Sequence, residues 1–267
     1  MRISSRGMAT TALVVIAAGA SPLWASTLKG STIHVCEDGA EWPPYSYFKR
    51  VNGQPTKEVV GLAVDIVGTI FKKAGVGLSI ELLPWARCQK ELITGNAYQL
   101  ALNASYSELR AKTYHLSRPY YSTTNYYFYS KKVHPTGLKI EQLADLKNYK
   151  VCGLFGYNYE TYGLASGSID QGAYSFPSVI GKVHAGRCDL FLEKYQVMAG
   201  FGATGQPFLD DENLGRAPVP GMAPTQFYMM LTRSGEHADE LLKLVNDGLL
   251  ELETSGELGR LTKKYLP

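Results

Sequence analysis

The residues best suited to chemistry follow a short apolar run at residues 100–102, which is typical of a buried strand. Small hydroxyl side chains, Ser105 and Ser107, come next, and Arg110 follows them. Arginine carries a planar fork of N–H donors that matches a carboxylate in a bidentate pair. The spacing therefore indicates an anion site just past the strand. The alternative is a solvated arginine at the start of a helix, and spacing alone leaves both interpretations open.

The elements that must position this site alternate between strands and helices. Residues 32–36, 78–83 and 100–102 have the composition of strands, and helical spacing appears between them at residues 61–73 and 85–95. This order predicts βαβ units with parallel strands, whose ligands bind beyond the carboxyl ends of the strands. The segments that carry Trp42, Trp85 and Arg110 each follow a strand, so we expect them to face one crevice.

The second half of the chain has a weaker pattern. Residues 122–130 are tyrosine-rich and strand-like, 138–146 are expected to be helical, and 150–154 form a strand. Residues 156–159 are expected to open a helix, whose free N–H groups would favour an anion. Residues 174–177 look like a short edge strand and 200–224 like loops, whereas 226–232 form a returning strand before helices at 238–253 and 256–266.

The first 25 residues have the pattern of a secretory signal peptide. Arg2 and Arg6 precede an apolar core at residues 9–20, and a small-residue cleavage site lies near Ala25. The alternative, a membrane anchor, needs about 20 apolar residues. Removing the segment takes away two arginines and no acid, so the net charge falls from +3 to +1. No electrostatic argument for binding nucleic acid or membrane remains.

Four cysteines follow in the part of the chain expected to be exported. An even number in such a protein favours disulfides, and four cysteines allow three pairings. Their spacings are wide, no CxxC occurs and the five histidines are scattered, so neither a metal nor a cofactor is expected. Buried free thiols are the alternative. The cysteines are Cys36, Cys88, Cys152 and Cys188.

Three motifs resemble the family 3 periplasmic solute-binding proteins, the receptors of ABC importers for polar amino acids. Residues 107–110 and 116–121 (SELR and LSRPYY) resemble the family's T-x-x-R and F-S-x-P-Y-Y patterns, and residues 186–192 (GRCDLFL) resemble its G-R-x-D strand. Residues 256–266 resemble its terminal G-x-x-x-x-L-x-x-K-Y pattern, so the similarity runs from about Thr32 to Leu266.

The resemblance implies an α/β, two-lobed periplasmic-binding-protein fold of type II. Each lobe would be a mostly parallel sheet flanked by helices. The expected division is a signal peptide at residues 1–25, lobe 1 at 26–122 plus 227–267, and lobe 2 at 123–226. A disulfide across the lobes would hinder their closure, so the pairs Cys36–Cys88 and Cys152–Cys188, each within one lobe, are expected.

The family pattern also implies roles for individual residues. Arg110 would grip the ligand's carboxylate, with Asn103 and Ser105 assisting. Trp42, with Tyr45 beside it, would stack on the ligand's side chain, and Trp85 would wall the pocket; the alternative for these aromatics is a place in the core. In the turn at Gly156, where the family carries small hydroxyl residues that contact the carboxylate, this chain has Tyr157 and Asn158.

The main departure from the family lies at the end of the GRCD strand. The family places there an aspartate that binds the ligand's ammonium, whereas this chain has Lys194, preceded by Glu193. Successive strand side chains face opposite sides, so we expect only one of the two to line the cleft. Glu193 pointing inward preserves the family's chemistry. Lys194 pointing inward would instead favour a ligand with a second anionic or carbonyl group.

The expected function is a periplasmic, monomeric binding protein without cofactor or enzymatic activity. It would capture a small carboxylate-bearing solute, an amino acid or a related compound, for an ABC permease. A periplasmic sensor is an alternative that sequence cannot separate from transport. A dehydratase-like enzyme is another, because Glu193 or Lys194 could act as a general acid or base. Against an enzyme, the sequence shows no nucleophile–base pair, no metal spacing and no cofactor loop.

Overall fold

The computed structural model describes residues 27–165 and 167–266, so the expected signal peptide lies outside the described residues. The strands are β1 (Thr32–Asp38), β2 (Tyr47–Val51), β3 (Gln54–Val60), β4 (Gly77–Leu83), β5 (Leu100–Ser105), β6 (His115–Thr123), β7 (Asn125–Ser130), β8 (Val151–Leu154), β9 (Ile169–Ala173), β10 (Leu190–Lys194), β11 (Leu214–Pro218) and β12 (Thr225–Leu231). The α-helices are α1 (Leu62–Ala74), α2 (Trp85–Thr94), α3 (Glu108–Thr113), α4 (Phe176–His184), α5 (Tyr195–Gly200), α6 (Ala238–Thr254) and α7 (Glu257–Tyr265). Short 3-10 helices lie at Leu143–Asn148, Glu160–Tyr162, Phe201–Thr204 and Phe208–Asp210. Within these ranges no helix is both long and apolar enough to cross a membrane.

Two five-stranded sheets form the two lobes of the described chain. The first has the order β4-β1-β5-β12-β6 and the second β11-β7-β10-β8-β9, and β2 and β3 form a separate hairpin. The predicted α/β two-lobed fold is therefore confirmed. Each sheet is more mixed than expected, because β12 runs antiparallel to both of its neighbours, as does β7. The chain passes between the sheets twice, at Thr124 and again between β11 and β12.

Helix α1 shows how the sequence builds the first lobe. Its apolar residues recur at helical spacing and are buried, and Gly75 ends the helix with a left-handed φ of 70°. The carboxylate of Asp65 on this helix accepts 2.7 Å hydrogen bonds from Lys264 Nζ and Tyr265 Oη. Helix α7, at the C-terminal end of the chain, is thereby fixed to the first lobe.

Four expectations for the second half need correction. Residues 138–146 contain only the start of a 3-10 helix, and residues 156–159 form a turn rather than a helix opening, since Gly156 has a φ of +78°. The expected edge strand at 174–177 is the start of α4, where the Ser175 hydroxyl accepts from the backbone N–H of Ser178. Residues 200–224 are not only loops, because they contain β11, which pairs with β7.

Both expected disulfides are present. Cys36 on β1 is bonded to Cys88 on α2, and Cys152 on β8 to Cys188 just before β10. The Cα atoms are 5.5 and 5.8 Å apart, within the usual range for a disulfide. Each bond lies within one lobe, so the predicted pairing is confirmed and neither bond ties the lobes together.

Candidate ligand-binding site

A small cavity lies between the two sheets, at the carboxyl ends of β1, β5 and β10. The centres of water molecules can occupy about 40 Å³ of it. Eight of the nine predicted ligand-binding residues line it: Trp42, Trp85, Asn103, Ser105, Arg110, Tyr157, Asn158 and Glu193. The other lining residues are Glu37, Asp38, Tyr159, Tyr162, Leu192, Lys194 and Phe227. The expectation that post-strand segments face one crevice therefore matches the geometry.

Tyr45 is the predicted residue that does not line the cavity. Its side chain is fully buried and its ring stacks on Tyr121, with the ring centroids 4.0 Å apart. The alternative place in the core is therefore correct for Tyr45. Trp42, in the same loop, does reach the cavity, where its indole N–H donates to Tyr121 Oη at 3.2 Å.

Arg110 is a buried cation at the cavity wall, with 6% of its surface exposed. Ser107 caps α3 by accepting from the Arg110 backbone N–H, which fixes the start of the helix. The Arg110 Nη1 donates to the Ser105 carbonyl and hydroxyl oxygens at 3.0 and 3.1 Å, and Nη2 to Gln89 Oε1 at 3.4 Å. Its guanidinium also lies 5.6 Å from the ring centroid of Trp85.

No carboxylate in the described ranges forms an ion pair with Arg110, whose polar partners are all neutral oxygens. Burial lowers the pKa of Arg110 to about 10, which leaves the guanidinium charged at neutral pH. A buried charge without a counter-charge is unfavourable. Arg110 therefore offers an uncompensated positive charge at the cavity wall.

The Asn103 side-chain amide is engaged in hydrogen bonds within the cavity wall and is not free. Its Nδ2 donates to Glu37 Oε2 at 2.6 Å and to Ser46 Oγ at 2.8 Å, and its Oδ1 accepts from Tyr121 Oη at 2.9 Å. Glu37 also accepts from the Leu102 backbone N–H, which links β1 to β5. These bonds use both ends of the Asn103 amide, so it supports the site from behind.

Two acids that sequence reasoning missed, Glu37 and Asp38, end strand β1 at the cavity. Burial raises the pKa of Glu37 to about 7 and that of Asp38 to about 6. Asp38 accepts from the Ala40 backbone N–H at 2.9 Å and from Tyr157 Oη at 2.5 Å. The available signal was a pair of acids at the carboxyl end of a predicted strand. It was missed because the strand was expected to end at Cys36.

Glu193 and Lys194 both line the cavity, so the expectation that only one of the two would line it is wrong. Alternation holds along a strand, but Lys194 is the last residue of β10 and its long side chain reaches back into the interior. Its Nζ donates to Asn125 Oδ1 at 2.5 Å, Tyr162 Oη at 3.1 Å and Thr225 Oγ1 at 3.3 Å. All three ammonium protons are therefore engaged by the protein.

Glu193 keeps one oxygen available to the cavity. Its Oε1 accepts from the Lys194 backbone N–H at 2.7 Å, and no described donor reaches its Oε2. Burial raises the pKa of Glu193, and burial likewise lowers the pKa of Lys194. The cavity thus presents an unpaired cation, Arg110, and a carboxylate with a free oxygen, Glu193, which together suit a zwitterion.

We expect the ligand-free protein to lose stability as the pH rises from about 4.5 to about 7. Burial raises the pKa values of Glu37 and Asp38 from 4.5 and 3.8 to about 7 and about 6, so the folded state keeps protons that the unfolded state has released. Stability falls with pH wherever the folded state binds more protons. Urea unfolding at several pH values measures the slope, and a stability that rises through this range would contradict it.

The variant Glu37→Gln should make that slope shallower without abolishing it, because Glu37 no longer titrates while Asp38 and Glu193 keep raised pKa values. Asp145, Asp170 and Asp211 have lowered pKa values and act below this range, so they do not interfere. Asp170→Asn, an exposed change, is the matched control and should leave the slope above about pH 4.5 unchanged.

No described cluster offers a metal site. Cys152, Asp170 and Cys188 lie close together, but both cysteines are joined in a disulfide and therefore present no thiolate. The cavity itself contains carboxylates, a guanidinium and an ammonium, and these suit direct charge pairing with an organic solute.

Comparisons with known proteins concern the fold and the family of this chain. The amino-acid-binding protein AabA of Dichelobacter nodosus is 25% identical over 262 residues, which cover 96% of this chain and 95% of AabA. A histidine kinase sensor domain with similarity to periplasmic binding proteins superposes with a TM-score of 0.71 at 22% identity, covering 88% of this chain and 96% of that domain. An ancestral arginine-binding protein bound to arginine gives a TM-score of 0.69 at 20% identity, covering 90% of this chain and all of that protein. At these identities the two structures establish the fold alone.

The model of the bacterial extracellular solute-binding proteins, family 3, matches residues 33–267, and the chain belongs to that family.

Proposed function

We propose that this protein captures a small zwitterionic solute, an amino acid or a closely related compound, between its two lobes. The observation that carries the proposal is Arg110, a buried cation at the cavity wall without a described carboxylate partner. Glu193, from the other lobe, adds a carboxylate with a free oxygen. A ligand carboxylate would pair with Arg110, and a ligand ammonium would pair with Glu193. The similarity to AabA, an amino-acid-binding protein, supports this class of solute.

The proposed lobes are residues 26–122 plus 227–267 and residues 123–226. Sheet membership supports this division, because β6 ends at Thr123, β7 begins at Asn125 and β12 begins at Thr225. Arg110 and Glu193 lie on different lobes, so a ligand that contacts both favours the closed arrangement. Closure is then a population shift driven by the ligand's greater affinity for the closed state.

Delivery to an ABC permease from the periplasm, as a monomer, is the role that we propose for the loaded protein. Membership of a family of extracellular solute-binding proteins supports an exported location. A periplasmic sensor is the second candidate, since a histidine kinase sensor domain shares this fold. Loss of solute uptake in a deletion strain would support transport, whereas intact uptake with a lost transcriptional response would support sensing.

We propose that the protein is not an enzyme, although Glu193 and Lys194 could in principle exchange a proton with a ligand. The Lys194 ammonium is fully engaged by Asn125, Tyr162 and Thr225, which leaves it poorly placed to serve as a base. Incubation with each tight ligand, followed by mass spectrometry, tests the point. Conversion of a ligand that depends on Glu193 would favour the dehydratase-like alternative.

A thermal-shift screen tests the proposed function directly. The library contains α-amino acids, matched carboxylic acids without the amino group, and matched amines without the carboxyl group. At a ligand concentration of about 100 times Kd the expected stabilisation is about 2.7 kcal/mol. We expect stabilisation by members that carry both groups. Strong hits among the amines alone would contradict the role of Arg110.

A further inference from the structure

The turn at residues 156–158 of the second lobe makes direct hydrogen bonds to the first lobe. Gln89 Nε2 donates to the Gly156 carbonyl at 3.2 Å, and Asn158 Nδ2 donates to the Tyr106 carbonyl at 2.8 Å. Between them, Tyr157 Oη donates to Asp38 Oδ2 at 2.5 Å. The side chain of Tyr157 therefore crosses the gap between the lobes.

The ring of Tyr157 is wedged between apolar groups from both lobes. It meets Trp42 edge-on, with ring centroids 5.5 Å apart and an interplanar angle of 71°. It also packs against buried apolar residues of both lobes. A ring held on both sides in this way cannot swing aside without losing aromatic contacts and its hydrogen bond to a buried carboxylate.

Tyr157 separates two spaces of very different size. It lines the inner cavity, where water centres can occupy about 40 Å³, and also an outer groove that offers about 470 Å³ by the same measure. Arg110 lines both spaces as well. A ligand whose carboxylate binds Arg110 inside the cavity would therefore meet the Tyr157 ring if its side chain extended toward the outer groove.

We propose that Tyr157 sets the size limit of the ligand, an inference that rests on the proposed function. The inner cavity holds only a few water molecules, which matches the smallest zwitterions, such as glycine, alanine and serine. The Tyr157 hydroxyl also occupies Asp38, so that carboxylate is not free to receive a cationic side chain. The size of the cavity excludes zwitterions with bulky side chains. The occupied Asp38 carboxylate disfavours those with basic side chains.

Calorimetry with a panel of small and large amino acids tests the size limit. The small set is glycine, alanine and serine, and the large set is glutamine, phenylalanine and arginine. For the unchanged protein we expect the small set to bind at least roughly tenfold more tightly, since pocket fit commonly discriminates by this factor or more. Tyr157→Ser should raise the affinity for the large set at least roughly tenfold, because the ring is removed.

Tyr157→Phe separates the bulk of the ring from its hydrogen bond. It keeps the ring, so phenylalanine and glutamine should stay excluded, but it frees Asp38, so arginine should gain affinity relative to them. Tyr174→Ser is the matched control, because Tyr174 is 69% exposed on the same lobe, and it should leave every affinity unchanged. If Tyr157→Ser does not fold, Tyr157→Leu shortens the side chain while keeping apolar packing.

The results of this panel distinguish a failure of the size limit from a failure of the proposed function. Equal binding of small and large members that still requires Arg110 would overturn the size limit and leave the proposed function intact. Size-selective binding that is unaffected by Arg110→Ala would support the size limit and refute the role of Arg110 as the carboxylate partner. Failure of the whole panel with both the unchanged protein and Tyr157→Ser would overturn the inference, whereas binding of large members by Tyr157→Ser alone would support it.

Discussion

Arg110→Ala is expected to weaken the binding of any carboxylate-bearing ligand at least about thirtyfold, while the ligand-free fold stays intact. Truncating one partner of a buried, hydrogen-bonded charge pair costs about 2–5 kcal/mol, and about 2 kcal/mol corresponds to thirtyfold in Kd. The fold should survive because the guanidinium donates hydrogen bonds only to neutral oxygens in the described chain, and removing it relieves an unpaired buried charge. Calorimetry gives the affinity, and thermal unfolding gives the stability.

Two further variants sharpen this test. Arg87→Ala removes an arginine from α2, close in sequence to Trp85. The Arg87 side chain is 66% exposed, so its removal should leave affinity unchanged. Arg110→Lys keeps the charge but lacks the planar fork, and it should recover only part of the affinity. Unchanged affinity in Arg110→Ala would remove Arg110 from the site and with it the observation on which the proposed function rests.

The first lobe and its half of the site could be predicted from the sequence because the signals there are local. Arg110 follows a buried strand at a spacing that a helix cap at Ser107 makes rigid, and the structure shows that cap. Trp85 comes directly after a proline that ends a strand, so its position at the start of α2 could be predicted from the sequence. In both cases strand, turn and helix start lie within a few residues of each other.

The second lobe's contribution depends on contacts that are distant in sequence. The turn at Gly156 was expected to open a helix, but it is fixed by bonds to Gln89 and Tyr106 of the other lobe. Strand β11 lies in a Gly- and Pro-rich stretch and is defined by its pairing with β7. Local patterns carry no information about such partners, and so these elements were missed or misassigned.

The direction of the Lys194 side chain could not be predicted from local sequence either, but its partners in the structure explain it. Its partners Asn125 and Thr225 begin β7 and β12, the strands that follow the two passages of the chain between the sheets. Thr225 Oγ1 also donates to Asn125 Oδ1 at 2.9 Å, so the ammonium joins an existing cross-link between the passages. The lysine thus stands where the family places a ligand-binding aspartate, but its donors are directed at the connections between lobes.

With Lys194 committed to those connections, Glu193 is the residue of β10 left to receive a ligand ammonium. Its Oε2 has no donor among the described residues, whereas the Asp38 carboxylate is occupied by Tyr157 and Ala40. If the proposed function holds, the ligand-binding carboxylate has moved by one residue along the strand, and the charge that a zwitterion requires is kept. This interpretation makes Glu193 as necessary for ammonium recognition as Arg110 is for carboxylate recognition.

Glu193→Gln is expected to reduce the affinity for α-amino acids at least about thirtyfold, because a buried ammonium would lose its counter-charge, at a cost of about 2–5 kcal/mol. Glutamine keeps the shape of the side chain and an oxygen that can still accept from the Lys194 backbone N–H. Carboxylic acids without an amino group should bind the variant and the unchanged protein alike. Glu212→Gln is the matched control, since Glu212 is exposed on the same lobe and does not line the cavity, so it should change neither affinity. If Glu193→Gln binds amino acids normally, or if only carboxylates without an amino group bind the unchanged protein, Glu193 does not hold the ammonium.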